Sequence, residues 1–167
     1  YWESGSKQFT ANTDLKRPED FEGLTIRTMR SKVLKSQTLN LGAFHTLSDF
    51  NSLSSDLRKG RVDGQENPLT SIYHMNLYKG QKSILLSNHN FLFQVFCFSK
   101  KTFRKLSKKT KNMLVSASIE AGRHQRTESR QQQLEVLSDL RDQDIKINEL
   151  TSFNRKKFIE MFGVIYY

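Results

Sequence analysis

The stretch Arg61-Val62-Asp63-Gly64-Gln65-Glu66-Asn67-Pro68 decides the fold that the sequence predicts. Val62 is a β-branched strand residue, and Gly64 permits the backbone conformations of a tight turn. Asn67 is a favourable helix N-cap, and Pro68 is the preferred first residue of a helix. These residues predict the end of a strand, a turn and the start of a helix, whose free N–H groups lie where small anions bind in open α/β sheets. The spacing alone favours a capping role for Asn67 over a binding role.

Strands and helices alternate before this stretch. Residues 24–29 alternate in polarity and predict a strand with Arg27 near its carboxyl end. Ser31 is expected to cap a helix that runs to about Leu41, and Ser48 to cap the next one. Further strands are predicted at residues 6–11, 43–47, 83–87, 91–98 and 145–147. This order of elements predicts an α/β fold with a mostly parallel sheet.

The second half of the chain has a different character. Residues 100–140 carry a long, charged helical pattern, which indicates a helix that braces two lobes. Residues 151–166 predict an amphipathic terminal helix. Residues 91–98 are rich in Phe and Val, as buried strands are, and Cys97 within them is expected to be buried. Since Cys97 is the single cysteine, no disulfide forms within the chain.

The charge and the hydropathy of the sequence limit the kinds of partner that the chain can bind. Its net charge of +10 makes nucleic acid, an acidic surface and carboxylate solutes all candidates. No run approaches the roughly 18 apolar residues that span a membrane, so we expect no membrane insertion. The first residues do not form a secretory signal, which leads us to expect either a removed signal or an internal fragment.

The densest positive charge supports an alternative, a nucleic-acid-binding module built on the helix at residues 100–130. Seven basic residues fall between positions 100 and 111, namely Lys100, Lys101, Arg104, Lys105, Lys108, Lys109 and Lys111. Such a stripe can follow a phosphate backbone. Phe103 is the only aromatic residue among them, however, and a solvated helix face is the simpler interpretation.

Enzyme chemistry has little support in the sequence. The four histidines lack the spacing of metal ligands, and no nucleophile elbow or phosphate loop occurs. The carboxylates Asp63 and Glu66 lie in the stretch quoted above, and paired acid–base work by these two stays an open alternative. We therefore expect no catalytic residues, no metal site and no cofactor.

The quoted stretch resembles the signature turn of the periplasmic solute-binding subunits of TRAP transporters, the DctP family. Other motifs extend the resemblance along the chain, at residues 2–5, 7–12, 22–29, 41–43, 78–82 and 87–89. Ordered motifs over this span are more specific than any one of them. The chain is therefore identified as similar to the C-terminal part of such a subunit, lacking the N-terminal half.

The resemblance implies a periplasmic-binding-protein-like fold, with solute held between two α/β lobes. Residues 5–92 and 133–150 would form the second lobe, residues 93–132 part of the first lobe and the start of the long helix, and residues 151–167 a C-terminal helix. The intact protein would capture a small organic carboxylate, such as a C4-dicarboxylate, in the periplasm. It would deliver this solute to the TRAP membrane subunits, without a cofactor and without nucleic acid.

The resemblance also implies the binding residues. Arg27 matches a strand arginine that holds the solute carboxylate by a two-pronged salt bridge, which suits the planar guanidinium fork. Asn67 matches an asparagine that donates to the same carboxylate. The other implied substrate-binding residues are Phe50 as an aromatic wall, Gln94 where the chain crosses between lobes, Gln65, and Lys7 in place of a second arginine.

An incomplete first lobe has an expected consequence for affinity. Arg27 would face water, where a single salt bridge contributes roughly 0–1 kcal/mol. Closure around a solute also needs contacts from both lobes. We therefore expect this chain alone to bind its solute very weakly.

Overall fold

The computed structural model describes residues 1–163, so the end of the predicted C-terminal helix, residues 164–167, lies outside the described residues. The strands are β1 Trp2–Ala11, β2 Thr25–Arg27, β3 Phe44–Thr46, β4 Gly64–Pro68, β5 Ser83–Gln94 and β6 Lys146–Glu149. The helices are α1 Lys32–Asn40, α2 Leu53–Arg58, α3 Leu69–His74, α4 Lys100–Lys105, α5 Lys108–Arg141 and α6 Ser152–Gly163, with a 3-10 turn at Pro18–Phe21.

The described strands form one six-stranded sheet in the order β3-β2-β4-β1-β5-β6. The pairs β2–β3, β2–β4 and β5–β6 are parallel, whereas the central strand β1 is antiparallel to both β4 and β5. The sheet is therefore mixed, and the predicted α/β fold is confirmed. The parallel part brings the carboxyl ends of β2 and β4 to the same edge, where Arg27 and Asn67 lie.

Residues 64–68, which were predicted to turn and to start a helix, form a strand instead. Gly64–Pro68 is β4, all five residues are buried, and they pair with β1 from Ala11 to Lys7. Helix α3 begins only at Leu69, and Asn67 does not cap it. A Cβ on Gly64 would lie 2.3 Å from the carbonyl oxygen of Thr10, so glycine is required for the close approach of β1 rather than for a turn. Pairing on both edges of β4 outweighs the local turn propensity.

One strand replaces the two that were predicted at residues 83–87 and 91–98. Strand β5 continues through the intervening residues, with irregular register and Asn88 at a φ of 48°. It ends at Gln94, which pairs with Trp2, the first residue of β1. Residues 95–98 are therefore outside the sheet, and Cys97 is exposed. The expectation that Cys97 is buried is wrong.

Of the two helix-capping predictions, the one for Ser31 is confirmed and the one for Ser48 is wrong. Ser31 caps α1 as expected, since its Oγ accepts a hydrogen bond from the backbone N–H of Leu34 at 3.4 Å. Ser48 does not cap a helix, and α2 begins later, at Leu53. Residues 48–52 form a turn instead, in which the Asp49 carboxylate accepts from the backbone N–H of Asn51 at 2.8 Å.

The long helical pattern is divided into two helices. Ser107 has an extended ψ of 156°, and its Oγ accepts from the backbone N–H of Thr110 at 3.1 Å. This N-cap starts α5 and separates it from α4, because a residue that caps one helix cannot continue the previous one. Helix α5 keeps 34 residues, or about 51 Å at the α-helical rise.

Apolar packing covers both faces of the sheet. On one face Phe9 and Leu85 pack against Phe21 and the α6 residue Phe158. On the other face a second cluster joins β5 to α3 and α5 through Ile84, Ile72, Val136 and Leu140. The sheet thus packs on one side against Phe21 and α6 and on the other side against α3 and α5. The assignment of residues 5–92 and 133–150 to one lobe stays a prediction.

Candidate functional site

Arg27 lies at the carboxyl end of β2 with only 5% of its surface exposed. Its Nε and Nη2 atoms donate to the carbonyl oxygen of Ser48 at 3.2 and 2.9 Å. Its Nη1 is buried and has no hydrogen-bond partner among residues 1–163. The expectation that Arg27 faces water is therefore wrong, because the loop after β3 covers it. The Ser48 carbonyl occupies the Nε/Nη2 side of the guanidinium, and Nη1 on the other side lacks an acceptor among residues 1–163.

Phe50 belongs to the same loop and lies over Arg27. The Cζ atom of Arg27 is 5.8 Å from the centroid of the Phe50 ring, within the range of a cation–π contact. Burial lowers the pKa of Arg27, while the negative charges of Glu66 and Asp49 act in the opposite direction. An arginine stays cationic through such a change. The predicted aromatic wall and the predicted arginine are thus adjacent.

Gln65 and Asn67 lie on the strand next to Arg27. Arg27 pairs with Gln65 in the parallel β2–β4 ladder, and Asn67 follows two residues later on the same face. The Nδ2 of Asn67 donates to Gln65 Oε1 at 2.5 Å, and Gln65 Nε2 donates to Thr10 Oγ1 at 3.1 Å. Thr10 Oγ1 in turn donates to Gln81 Oε1 at 2.9 Å. This chain of buried hydrogen bonds fixes the orientation of both amides beside the arginine.

Lys7 does not contact Arg27, Gln65 or Asn67 in a hydrogen bond or an ion pair within residues 1–163. Lys7 is 4% exposed, and its Nζ lies 2.9 Å from Oε1 and 2.8 Å from Oε2 of Glu66. By the strand register Lys7 pairs with Pro68, so Lys7 and Glu66 share the face opposite to Gln65 and Asn67. The charge that the sequence analysis assigned to the solute is neutralised inside the fold.

Gln94 is also apart from Arg27. It pairs with Trp2, five residues before Lys7 on β1, which corresponds to roughly 16 Å along a strand. Its side chain is exposed at the end of β5. Of the six residues predicted to bind a substrate, Arg27, Phe50, Gln65 and Asn67 are together, whereas Lys7 and Gln94 are elsewhere.

Sequence reasoning missed a buried group formed by Glu66 and His89. Glu66 is 1% exposed, and His89 Nε2 lies 3.6 Å from its Oε2. The other ring nitrogen of His89 is 2.7 Å from Ser87 Oγ, and the ring stacks on Phe9 with centroids 4.0 Å apart. Burial is the main cause that lowers the pKa of His89, although Glu66 acts to raise it. The 22 residues between Glu66 and His89 hide this contact from any local pattern.

Residues 1–163 contain neither a metal-ligand cluster nor a membrane-spanning helix. No group of three or more His, Cys, Asp or Glu side chains is placed to hold a metal ion there. None of the helices within this part of the chain has the length and apolar character that crossing a membrane requires.

Comparisons with known proteins identify the family of the chain. The family model for bacterial extracellular solute-binding proteins of family 7, DctP, matches residues 1–167. A C4-dicarboxylate-binding protein, DctB of Bacillus subtilis, is 29% identical over 168 residues, which are 99% of this chain and 48% of the relative. A nucleic-acid-binding role for residues 100–130 finds no support in these matches.

Solved structures show the same fold. A TRAP periplasmic solute-binding protein from Sulfurospirillum deleyianum with bound succinate is 30% identical, with a TM-score of 0.89 over 99% of this chain and 55% of that one. The sugar acid binding protein DctPAm from Advenella mimigardefordensis, in complex with galactonate, is 33% identical, with a TM-score of 0.90 over 98% of this chain and 53% of that one. The chain thus spans about half the length of these relatives.

Proposed function

Since the chain belongs to the bacterial extracellular solute-binding proteins of family 7, the DctP family, we propose that it is part of a protein that captures a small organic carboxylate. The whole protein would work in the periplasm and deliver the solute to TRAP membrane subunits. The family consists of solute-binding proteins rather than enzymes. Two similar structures hold succinate and galactonate, and both ligands carry the carboxylate that this proposal requires.

The unpartnered Nη1 of Arg27 is the observation that carries the proposal. A buried donor without an acceptor costs about 1–3 kcal/mol, so such a group is expected where a ligand supplies the acceptor. A carboxylate offers two oxygens to the Nη1/Nη2 side of a guanidinium. The Ser48 carbonyl already holds the other side, which orients the fork before the solute arrives.

Residues next to Arg27 would provide the other contacts to the solute. Asn67 keeps one amide hydrogen for the solute, because the other is used on Gln65. Phe50 would bound the solute on the side of the loop. Lys7 would act only indirectly, by holding the Glu66 carboxylate. Gln94, at the distant end of β5, would meet a solute only if the whole protein brings a second lobe between them.

The division into lobes belongs to the same proposal. Residues 5–92 and 133–150 would form the second lobe, residues 93–132 would contribute to the first, and residues 151–167 would form the C-terminal helix. Since the chain spans about half the length of its relatives, the remaining contacts to the solute would come from the other half. We expect this chain alone to bind succinate more weakly than micromolar, and a micromolar dissociation constant by calorimetry would contradict that expectation.

A thermal unfolding assay tests the role of Arg27 at the high ligand concentrations that weak binding needs. At a succinate or galactonate concentration ten times the dissociation constant, binding stabilises the folded state by about 1.4 kcal/mol. This corresponds to a Tm increase of roughly 3–6 °C for a chain of this size. Sodium chloride at the same ionic strength is the reference.

The variant Arg27→Lys is expected to abolish this increase, because an ammonium lacks the planar fork. Arg17→Lys is the matched control, since Arg17 is exposed and pairs only with Asp20, three residues away. An equal increase in the Arg27→Lys variant would overturn the proposed binding site.

A further inference from the structure

Asp56 is a buried carboxylate in the first turn of α2 that the proposed contacts to a solute do not use. Only 6% of its surface is exposed, and an aspartate is rarely buried to this degree unless it has partners. Its Oδ2 accepts a hydrogen bond from Ser52 Oγ at 3.0 Å, and its Oδ1 accepts one from Arg61 Nη1 at 3.1 Å. The two oxygens therefore connect the chain before α2 to the chain after it.

Ser52 is the last residue before α2 and closes the turn at residues 48–52. Its backbone N–H donates to the carbonyl oxygen of Asp49 at 3.2 Å, and its own carbonyl oxygen accepts from the backbone N–H of Asp56 at 2.9 Å. Its hydroxyl does not cap the helix backbone, but lies 3.0 Å from Asp56 Oδ2 and 3.1 Å from the Asp49 carbonyl oxygen. Because a hydroxyl has one hydrogen and a carboxylate is the stronger acceptor, Asp56 decides where this hydroxyl points.

The same turn carries both groups that orient Arg27. The Ser48 carbonyl oxygen accepts from Nε and Nη2 of Arg27 at 3.2 and 2.9 Å, and the centroid of the Phe50 ring lies 5.8 Å from its Cζ. The hydrogen bond from Ser52 is the largest cause that lowers the pKa of Asp56, and the nearby Ser48 acts in the same direction. Asp56 is thus in contact with the turn near its end and close to its start, where the guanidinium is held.

Arg61 is the weaker of the two partners of Asp56. Its side chain is 65% exposed. An ion pair with an exposed arginine contributes little, because water screens the charges and ordering the long side chain costs entropy. Ser52 is only partly exposed, and it lies in the turn that covers Arg27. The contact with Ser52, rather than the ion pair, is therefore the one that reaches the solute site.

We propose that Asp56 is a positioning residue of the solute site, which holds the turn at residues 48–52 so that Ser48 and Phe50 keep the Arg27 fork in place for the carboxylate. This inference rests on the proposed function, because Asp56 acts on a solute only through Arg27. A guanidinium that is held in place before a solute arrives loses less side-chain freedom on binding, so the affinity is higher. A merely structural role would lower the stability of the fold and leave the order of the Arg27 side chain unchanged.

The exchange of the Arg27 Nε–H hydrogen with water reports the order of this side chain without any solute. Nitrogen-15 NMR on the whole chain measures it, and the Arg27→Lys variant identifies the signal by its loss. Because this hydrogen is buried and donates to the Ser48 carbonyl, we expect slow exchange in the unaltered chain. Asp56→Ala and Ser52→Ala should each accelerate it by about ten-fold or more, which is the effect of losing one hydrogen bond to a charged group.

Two conservative variants separate the hydrogen bond from the ion pair. Asp56→Asn keeps an oxygen that can accept from Ser52, so it should restore most of the slow exchange that Asp56→Ala loses. Arg61→Gln removes the exposed ion pair and leaves the contact with Ser52, so it should change the exchange by no more than about two-fold.

Asp14→Ala is the matched control for a loss of stability. The Asp14 carboxylate also accepts from two side chains, Asn148 Nδ2 at 2.7 Å and Lys146 Nζ at 3.2 Å. Both partners belong to β6, which is four strands from β2 in the sheet, or roughly 19 Å at the usual strand spacing. Asp14→Ala should therefore lower Tm without accelerating the exchange of the Arg27 hydrogen.

The thermal unfolding assay with succinate then measures the effect on binding. For the same increase in its own Tm, Asp56→Ala should need about ten times the succinate concentration that the unaltered chain needs. Unchanged exchange in Asp56→Ala and Ser52→Ala, or equal acceleration in Asp14→Ala, would overturn the positioning role whether or not succinate binds. Faster exchange with an unchanged succinate dependence would overturn it as well. If succinate has no effect on the unaltered chain, that result counts against the proposed function, and the exchange rates still decide whether Asp56 orders Arg27.

Discussion

The buried pair of Lys7 and Glu66 allows a sharp test of the structure. Glu66→Gln leaves the ammonium of Lys7 without its counter-charge, and Lys7→Met leaves the carboxylate of Glu66 with only the neutral ring of His89 beside it. The side chains of Lys7 and Glu66 are 4% and 1% exposed, so water cannot replace the lost partner. We expect each single change to destabilise the protein strongly.

The magnitude follows from the burial and the short contact. Removing one member of a buried ion pair costs about 3–5 kcal/mol, because the remaining charge is desolvated and unpaired. For a chain of this length, each kcal/mol lowers Tm by roughly 2–4 °C, so each single variant should melt about 6–20 °C lower. The double variant Lys7→Met/Glu66→Gln removes both charges, and its cost should be smaller than the sum of the two single changes by at least about 2 kcal/mol.

Urea denaturation followed by circular dichroism measures the free energy of unfolding of the unaltered chain, the two single variants and the double variant. Arg17→Met is the control, since Arg17 pairs with Asp20 at a side-chain exposure of 63% and should cost less than about 1 kcal/mol. Additive single changes, or single costs no larger than that of the control, would refute the conclusion that Lys7 is committed to the fold. The lysine would then be available to a solute after all.

Three further predictions concern the sheet and its packed faces. Gln65→Leu should cost about 1–3 kcal/mol in urea denaturation, because it removes the acceptor of the Asn67 amide and the donor to Thr10 within the buried sheet. An unchanged midpoint would contradict the buried chain of amides. Phe158 is 3% exposed, so Phe158→Ala should lower the free energy of unfolding by about 3–5 kcal/mol. Phe153 is 68% exposed, so Phe153→Ala should change it by no more than about 0.5 kcal/mol. Similar costs for the two variants would contradict the packing of α6. Burial lowers the pKa of His89 below 6.5, so the unfolded chain binds a proton at a pH where the folded chain does not. The free energy of unfolding should therefore fall as the pH is lowered through 6.5, by at most about 1.4 kcal/mol per pH unit. A slope that His89→Asn does not reduce would show that this histidine is not the cause.

The sequence by itself determined the elements whose signals are local. Ser31 caps α1 and Arg27 ends a short strand, both as predicted. Each depends on residues within one or two turns of chain, so neighbours in sequence suffice to define it. The ordered motifs also determined the family, because many short matches in the same order rarely occur together by chance. The adjacency of Arg27 and Asn67 followed from that resemblance and from the parallel order of their strands.

Only the tertiary structure decided the features that depend on a distant partner. Gly64–Pro68 has the composition of a turn but is a strand, because β1 and β2 pair with both of its edges. Lys7 is a cation of the kind that binds carboxylate ligands, but it forms an ion pair with Glu66, 59 residues away in the sequence. Cys97 has apolar neighbours but is exposed, because the pairing of β5 with β1 ends at Gln94 and leaves residues 95–98 outside the sheet. Local propensities amount to fractions of a kcal/mol per residue, whereas strand pairing, burial and ion pairing between distant residues contribute several, so the distant contacts prevail wherever the two conflict.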